Sequence, residues 1–101
     1  MKLEKTPEFN SWLDDLQSKL KALVEARLFR IEEYGHFGDA KSLGDSLAEL
    51  RWANGLRVYF SVRLDSQGNV ILVLIGGMKN AQKKDIKQAR LLLRRYQADP
   101  T

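Results

Sequence analysis

Apolar residues recur at steps of three and four through Phe9, Trp12, Leu13, Leu16, Leu20, Leu23, Val24, Leu28 and Ile31, and beyond residue 46 they alternate with polar residues or run together. The first spacing draws one face of a helix and the second draws strands, so the period changes from helical to strand-like near residue 46. Helices followed by a sheet indicate an α+β fold. Thr6-Pro7-Glu8 reads as a helix start, since Thr can cap, Pro suits the first helical position and Glu complements the positive end of the helix dipole. The stripe is one helix or a helical hairpin. A break near Gln17-Ser18 would make Ser18 the second cap, and Gly35 is placed to end the helical part in the left-handed conformation. Phe9 and Trp12 fall on the stripe and are expected in the core, and residues 2–5 read as a short strand ahead of it.

Residues 35–46, with glycines at 35, 38 and 44, read as a loop. Its His36 is expected to be a solvated or locally hydrogen-bonded residue. Strands are expected over Leu47–Trp52, Leu56–Leu64 and Val70–Ile75, joined by Ala53-Asn54-Gly55 and by the turn at 65–69, both hairpin-like. Along the middle strand Arg57, Tyr59, Ser61 and Arg63 alternate with Val58, Phe60, Val62 and Leu64, so one face is apolar and the other is a candidate site; Arg51 can share it. Val70–Ile75 is apolar throughout and reads as a strand covered on both faces. A last helix is expected from Asn80 or Ala81 to about Tyr96, with Ile86, Ala89, Leu93 and Tyr96 inward, and the tail from Gln97 to Thr101 reads as a frayed end.

The charge is segregated. Residues 1–50 hold seven Lys/Arg against ten Asp/Glu and residues 51–101 hold ten against three, so a net charge of +4 conceals a half at +7. Residues 79–96 carry seven basic side chains and only Asp85 among acids, so pairs within the helix cannot neutralise them. Such a footprint attracts a polyanion. With no cysteine and one histidine the chain offers neither a disulfide nor a zinc-type ligand set, and no metal or other cofactor is expected. No segment approaches the roughly 18 apolar residues of a membrane span, so the expectation is one cytoplasmic domain over residues 1–101.

In their order, Gly35-His36-Phe37-Gly38-Asp39, Glu49-Leu50-Arg51, Arg57-Val58-Tyr59-Phe60, Gly76-Gly77-Met78-Lys79 and Gln82 through Asp85-Ile86 resemble the RelE/ParE toxin superfamily, and within it the phage-derived addiction-module killer (HigB-like) branch. The resemblance implies a small antiparallel sheet packed against an N-terminal helical hairpin, with a C-terminal helix. It implies the toxin of a type II toxin–antitoxin system, a metal-independent endoribonuclease that cuts messenger RNA on the ribosome and is restrained by a helix-turn-helix antitoxin. The alternatives are a ParE-like inhibitor of DNA gyrase that works by binding, or an inactive nucleic-acid-binding remnant. In the nuclease reading Arg51 and Arg57 hold phosphoryl oxygens, Lys79 stabilises developing charge or protonates the leaving oxygen, and Tyr59 orients or stacks on a base. Arg63, Gln82, Lys83, Lys84 and Lys87 are the expected contacts to RNA or the ribosome. Neither Arg57 nor Lys79 lies on an apolar stripe, so both are expected at the surface.

Overall fold

The computed structural model describes residues 1–66 and 68–98. Gln67 of the second turn and Asp99, Pro100 and Thr101 of the tail lie outside the described residues. After β1 (Lys2–Lys5) the chain enters α1 (Pro7–Asp14) at Thr6, whose Oγ1 accepts the Phe9 N–H at 2.9 Å. The same hydroxyl donates to the Leu74 carbonyl at 2.6 Å, so one buried side chain caps the helix and ties it to the sheet. The helical stripe is a hairpin: α2 (Ser18–Tyr34) follows, and Gly35 ends it at φ 68° with its N–H reaching back to Ile31. Gln17, not Ser18, occupies the N-cap position, and it gives no side-chain cap.

The sheet has five strands in the order β1-β5-β4-β3-β2, built from β2 (Ala40–Gly44), β3 (Leu47–Arg51), β4 (Leu56–Asp65) and β5 (Gly68–Met78). Two expectations are corrected. The segment 40–44, read as loop, is an edge strand; it hid because only Leu43 in it turns inward and its partner side is solvent. It turns into β3 through Asp45 and Ser46, both at positive φ (51° and 68°), a tight hairpin made without the usual glycine. The sheet is also mixed, because β1 runs parallel to β5, with Leu3 opposite Ile71.

Helices cover both faces. Leu50, Leu56, Val58, Phe60, Ile71 and Val73 pack against Phe9 and Leu13 of α1 and Val24, Leu28 and Ile31 of α2. On the other face Leu47, Tyr59, Leu72 and Leu74 pack against Ala89, Leu92 and Leu93 of α3 (Gln82–Ala98), which follows a single 3₁₀ turn at Lys79–Ala81. Alternation along β5 breaks at one place, where Tyr59 opposes Ile75 but Phe60 opposes Val73, leaving Leu74 as an extra residue. Past this bulge every side chain is switched by one position. Gly76 therefore backs onto the Trp12 indole and Gly77 onto the Asp85 carboxylate, each so closely that a Cβ at either glycine would collide.

Candidate functional site

The polar face of β4 does not lie open. Tyr59 is fully buried and Ser61 nearly so, because α3 crosses that face. The expected stacking platform is thus a core residue, and Tyr59 cannot reach a base while α3 is seated. Among the described residues its Oη has no hydrogen-bond partner, and burial, with the Glu49 and Asp85 carboxylates nearby, pushes its pKa up to about 12.

What emerges from the edge of α3 is the other end of the face. Arg51 and Arg57 stand directly opposite each other across β3 and β4, and Arg57 is adjacent to Gly77 on β5. Arg57 is only 7% exposed, against expectation, since its Nη1 turns back to donate to the carbonyls of Leu56 at 2.9 Å and Trp52 at 3.1 Å. Arg51 is half-buried. The Nε of each arginine is buried without a partner, and neither guanidinium is in an ion pair among the described residues. Two like charges directly opposite on a sheet repel, so the arrangement costs stability as it stands.

Lys79 joins this end through the backbone. Its N–H donates to the Gly55 carbonyl at 2.7 Å, holding the β5–α3 turn against the β3–β4 turn, and its side chain is exposed. Gly55 sits at φ 98°, and the Asn54 Oδ1 accepts the Leu56 N–H at 3.1 Å, which fixes the tight turn. Gln82 is half-buried and not free for RNA, because its Nε2 donates to both oxygens of Glu49, at 2.8 and 3.1 Å. Lys83, Lys84 and Lys87 are exposed on α3 as expected. Arg63 is exposed too, but six residues along β4 from Arg57 puts it about 20 Å away, at the other end of the sheet. Arg90 is spent structurally: it donates to the carbonyls of Leu43 and Gly44, at 2.9 and 3.3 Å, and pins α3 to the β2–β3 hairpin.

Three residues went unassigned in the sequence. Glu49, buried opposite Tyr59, brings a carboxylate to the face that α3 covers, and Asp85, against Gly77, brings a second, with a pKa raised by desolvation. Their signal was present as acids amid a basic constellation. Arg27 had no signal at all. It lies on α2 beside the helical stripe, is almost fully buried, donates to the carbonyls of Phe37, Asp39 and Arg51, and lies over the Trp52 ring at 4.5 Å. By holding the Arg51 carbonyl from below, Arg27 fixes the strand that presents the Arg51 side chain above.

No family model matches the chain. An uncharacterised protein of Haemophilus influenzae is 41% identical over 95 residues, covering 91% of this chain and 92% of its own length. Among solved structures, a mutant of the E. coli toxin RelE in the free state superposes at a TM-score of 0.67 with 14% identity, over 93% of this chain and 95% of that one. The RelBE2 toxin–antitoxin complex of Mycobacterium tuberculosis gives 0.57 with 16% identity, over 76% and 95%. A YoeB/ParE toxin from Agrobacterium tumefaciens gives 0.61 with 13% identity, over 77% and 98%. The chain belongs to one family with the H. influenzae protein, and its fold is that of the RelE/ParE toxin superfamily.

Proposed function

We propose that this chain is the toxin of a type II toxin–antitoxin pair, of the HigB-like branch, and acts as a ribosome-dependent endoribonuclease on messenger RNA. The observation that carries the reading is the Arg51–Arg57 pair: two arginines opposed across neighbouring strands, each with a buried unpartnered Nε, and neither in an ion pair among the described residues. A phosphodiester supplies what that pair lacks, charge and acceptor oxygens together.

In this reading the RNA 2′-oxygen attacks the adjacent phosphorus, the bond from phosphorus to the 5′-oxygen breaks, and a 2′,3′-cyclic phosphate remains. Arg51 and Arg57 hold the non-bridging oxygens as their charge grows. A carboxylate of the cluster, Glu49, accepts the 2′-hydroxyl proton once Gln82 releases it, and the Lys79 ammonium gives a proton to the departing 5′-oxygen. Lys83, Lys84 and Lys87 hold the ribosomal RNA backbone and act at a distance from the chemistry. Work on the ribosome makes the cytoplasm its place of action. The restraining partner is a helix-turn-helix antitoxin with an acidic segment that covers the basic end of the sheet, forming a hetero-oligomer; the M. tuberculosis neighbour is itself a toxin–antitoxin complex.

A second reading has its own support. Arg57 is nearly buried and Tyr59 is sealed under α3, which suits a toxin that acts by binding gyrase through its surface, and one structural neighbour is described as a YoeB/ParE toxin. Mapping transcript 5′ ends during induction separates the two. New ends within translated messages support the nuclease, and trapped gyrase–DNA cleavage complexes without such ends support the binding toxin.

A further inference from the structure

The solvent side of α2 carries apolar residues among its charges. Leu23 is 44% exposed and Phe29 54%, with Ala22 and Ala26 exposed on the same side, opposite the buried Val24, Leu28 and Ile31. Lys19, Ala22, Ala26, Phe29 and Glu33 follow one another along this face at steps of three, four, three and four. That is the spacing of a helix packed on another helix at about 20°. Its ends are oppositely charged, Lys19 toward the start and Glu33 toward the finish, each seven residues from Ala26. Among the described residues neither has an ion-pair partner within the chain, and Arg30 has none either.

We propose that this face is a homodimer interface, in which a second copy lays its own α2 antiparallel across it about a two-fold axis at Ala26. The charge order selects both orientation and occupant. In an antiparallel pair, positions equidistant from Ala26 meet, so Lys19 faces the partner subunit's Glu33 at both ends of the contact. Phe29 lies against the partner subunit's Leu23, and the stem of Arg30 runs along the partner subunit's Ala22. A parallel pair would set lysine against lysine and glutamate against glutamate. A second copy carries the complementary order by symmetry, and the contact leaves the face of the sheet opposite α2, where Arg51 and Arg57 lie, uncovered.

Sedimentation velocity on the full chain tests this. The wild type is expected to self-associate below roughly 100 μM, the range suited to a small specific interface. Lys19→Glu and Glu33→Lys should each weaken association by about tenfold or more, and the double reversal should restore it. Since the chain has no cysteine, Ala26→Cys can pair only with its own symmetry mate and should give a covalent dimer on mild oxidation. Ser11→Cys on α1, away from the face, should not. These positions are exposed, so melting temperatures of the reversals should match the wild type. A monomer at all concentrations with no Ala26→Cys dimer overturns the proposal, even if another protein were found to use the face. A double reversal no tighter than the single ones overturns the antiparallel pairing on which it rests.

Discussion

The Asp85 carboxylate occupies the space that a side chain at Gly77 would need. The glycine is required by close approach, because the turn out of β5 passes directly beneath the first turn of α3. Gly77→Ala should therefore destabilise the fold by about 1–3 kcal/mol through overpacking. Asp85→Ala in the same chain should recover most of that loss, whereas each change acting independently would show no coupling in a double-mutant cycle of denaturant midpoints.

Tyr59 carries a hydroxyl that no group among the described residues satisfies. Tyr59→Phe keeps the ring and removes the orphaned group, so it should leave stability unchanged or raise it by about 1 kcal/mol. The pH dependence has a definite sign. The folded pKa, about 12, lies above the ordinary value of 10.0, so the folded protein holds the phenol proton where the unfolded chain has lost it. The stability from this group is fully present below pH 10.0 and is lost as pH rises toward about 12. Urea melts of Tyr59→Phe should lack that alkaline fall; an identical fall in the variant would assign it to other groups.

Asp45 and Ser46 adopt left-handed conformations that L residues disfavour. Replacing them with Asn-Gly should stabilise the protein by about 1 kcal/mol, seen as a higher urea midpoint at unchanged slope, since the turn would then match its commonest sequence.

Much of the fold was legible because its signals are local. Thr6, Gly35 and the turn at Asn54-Gly55 each act through their own backbone, and the stripe from Phe9 to Ile31 needs only a period. What escaped depends on neighbours distant in sequence. The parallel pairing of β1, the strand at 40–44 and the bulge at Leu74 are settled by register and not by composition. At the site, the register sets Arg51 opposite Arg57, and the Lys79 backbone is tied to the turn between their strands. Tyr59 and Gln82 were misjudged because alternation reveals which side of a strand a residue faces, but not that α3 covers that side. Arg57 was misjudged for a related reason: its guanidinium finds acceptors on its own strand and on Trp52, so it folds inward.

Arg57 and Lys79 consequently separate stability from activity. Arg57→Ala removes a nearly buried cation bonded to two carbonyls and should cost on the order of 1–3 kcal/mol as well as activity. Lys79→Ala removes an exposed side chain while its backbone bond to Gly55 persists, so its thermal unfolding should match the wild type within about 0.5 kcal/mol. An equal loss of stability in both variants, read from urea melts, would contradict this placement.

The central claim is that the Arg51–Arg57 end of the sheet cleaves RNA, with Lys79 completing it. Its most direct measurement is single-turnover cleavage of ribosome-bound message by the wild type and by Lys79→Ala, in EDTA with polyamines preserving the ribosome. The account predicts cleavage by the wild type to products ending in a 2′,3′-cyclic phosphate, and a rate lower by about 10²–10³ in the folded variant, the usual cost of losing one group that stabilises the transition state. An intact message with the wild type, or undiminished cleavage and growth arrest with the folded variant, would contradict it.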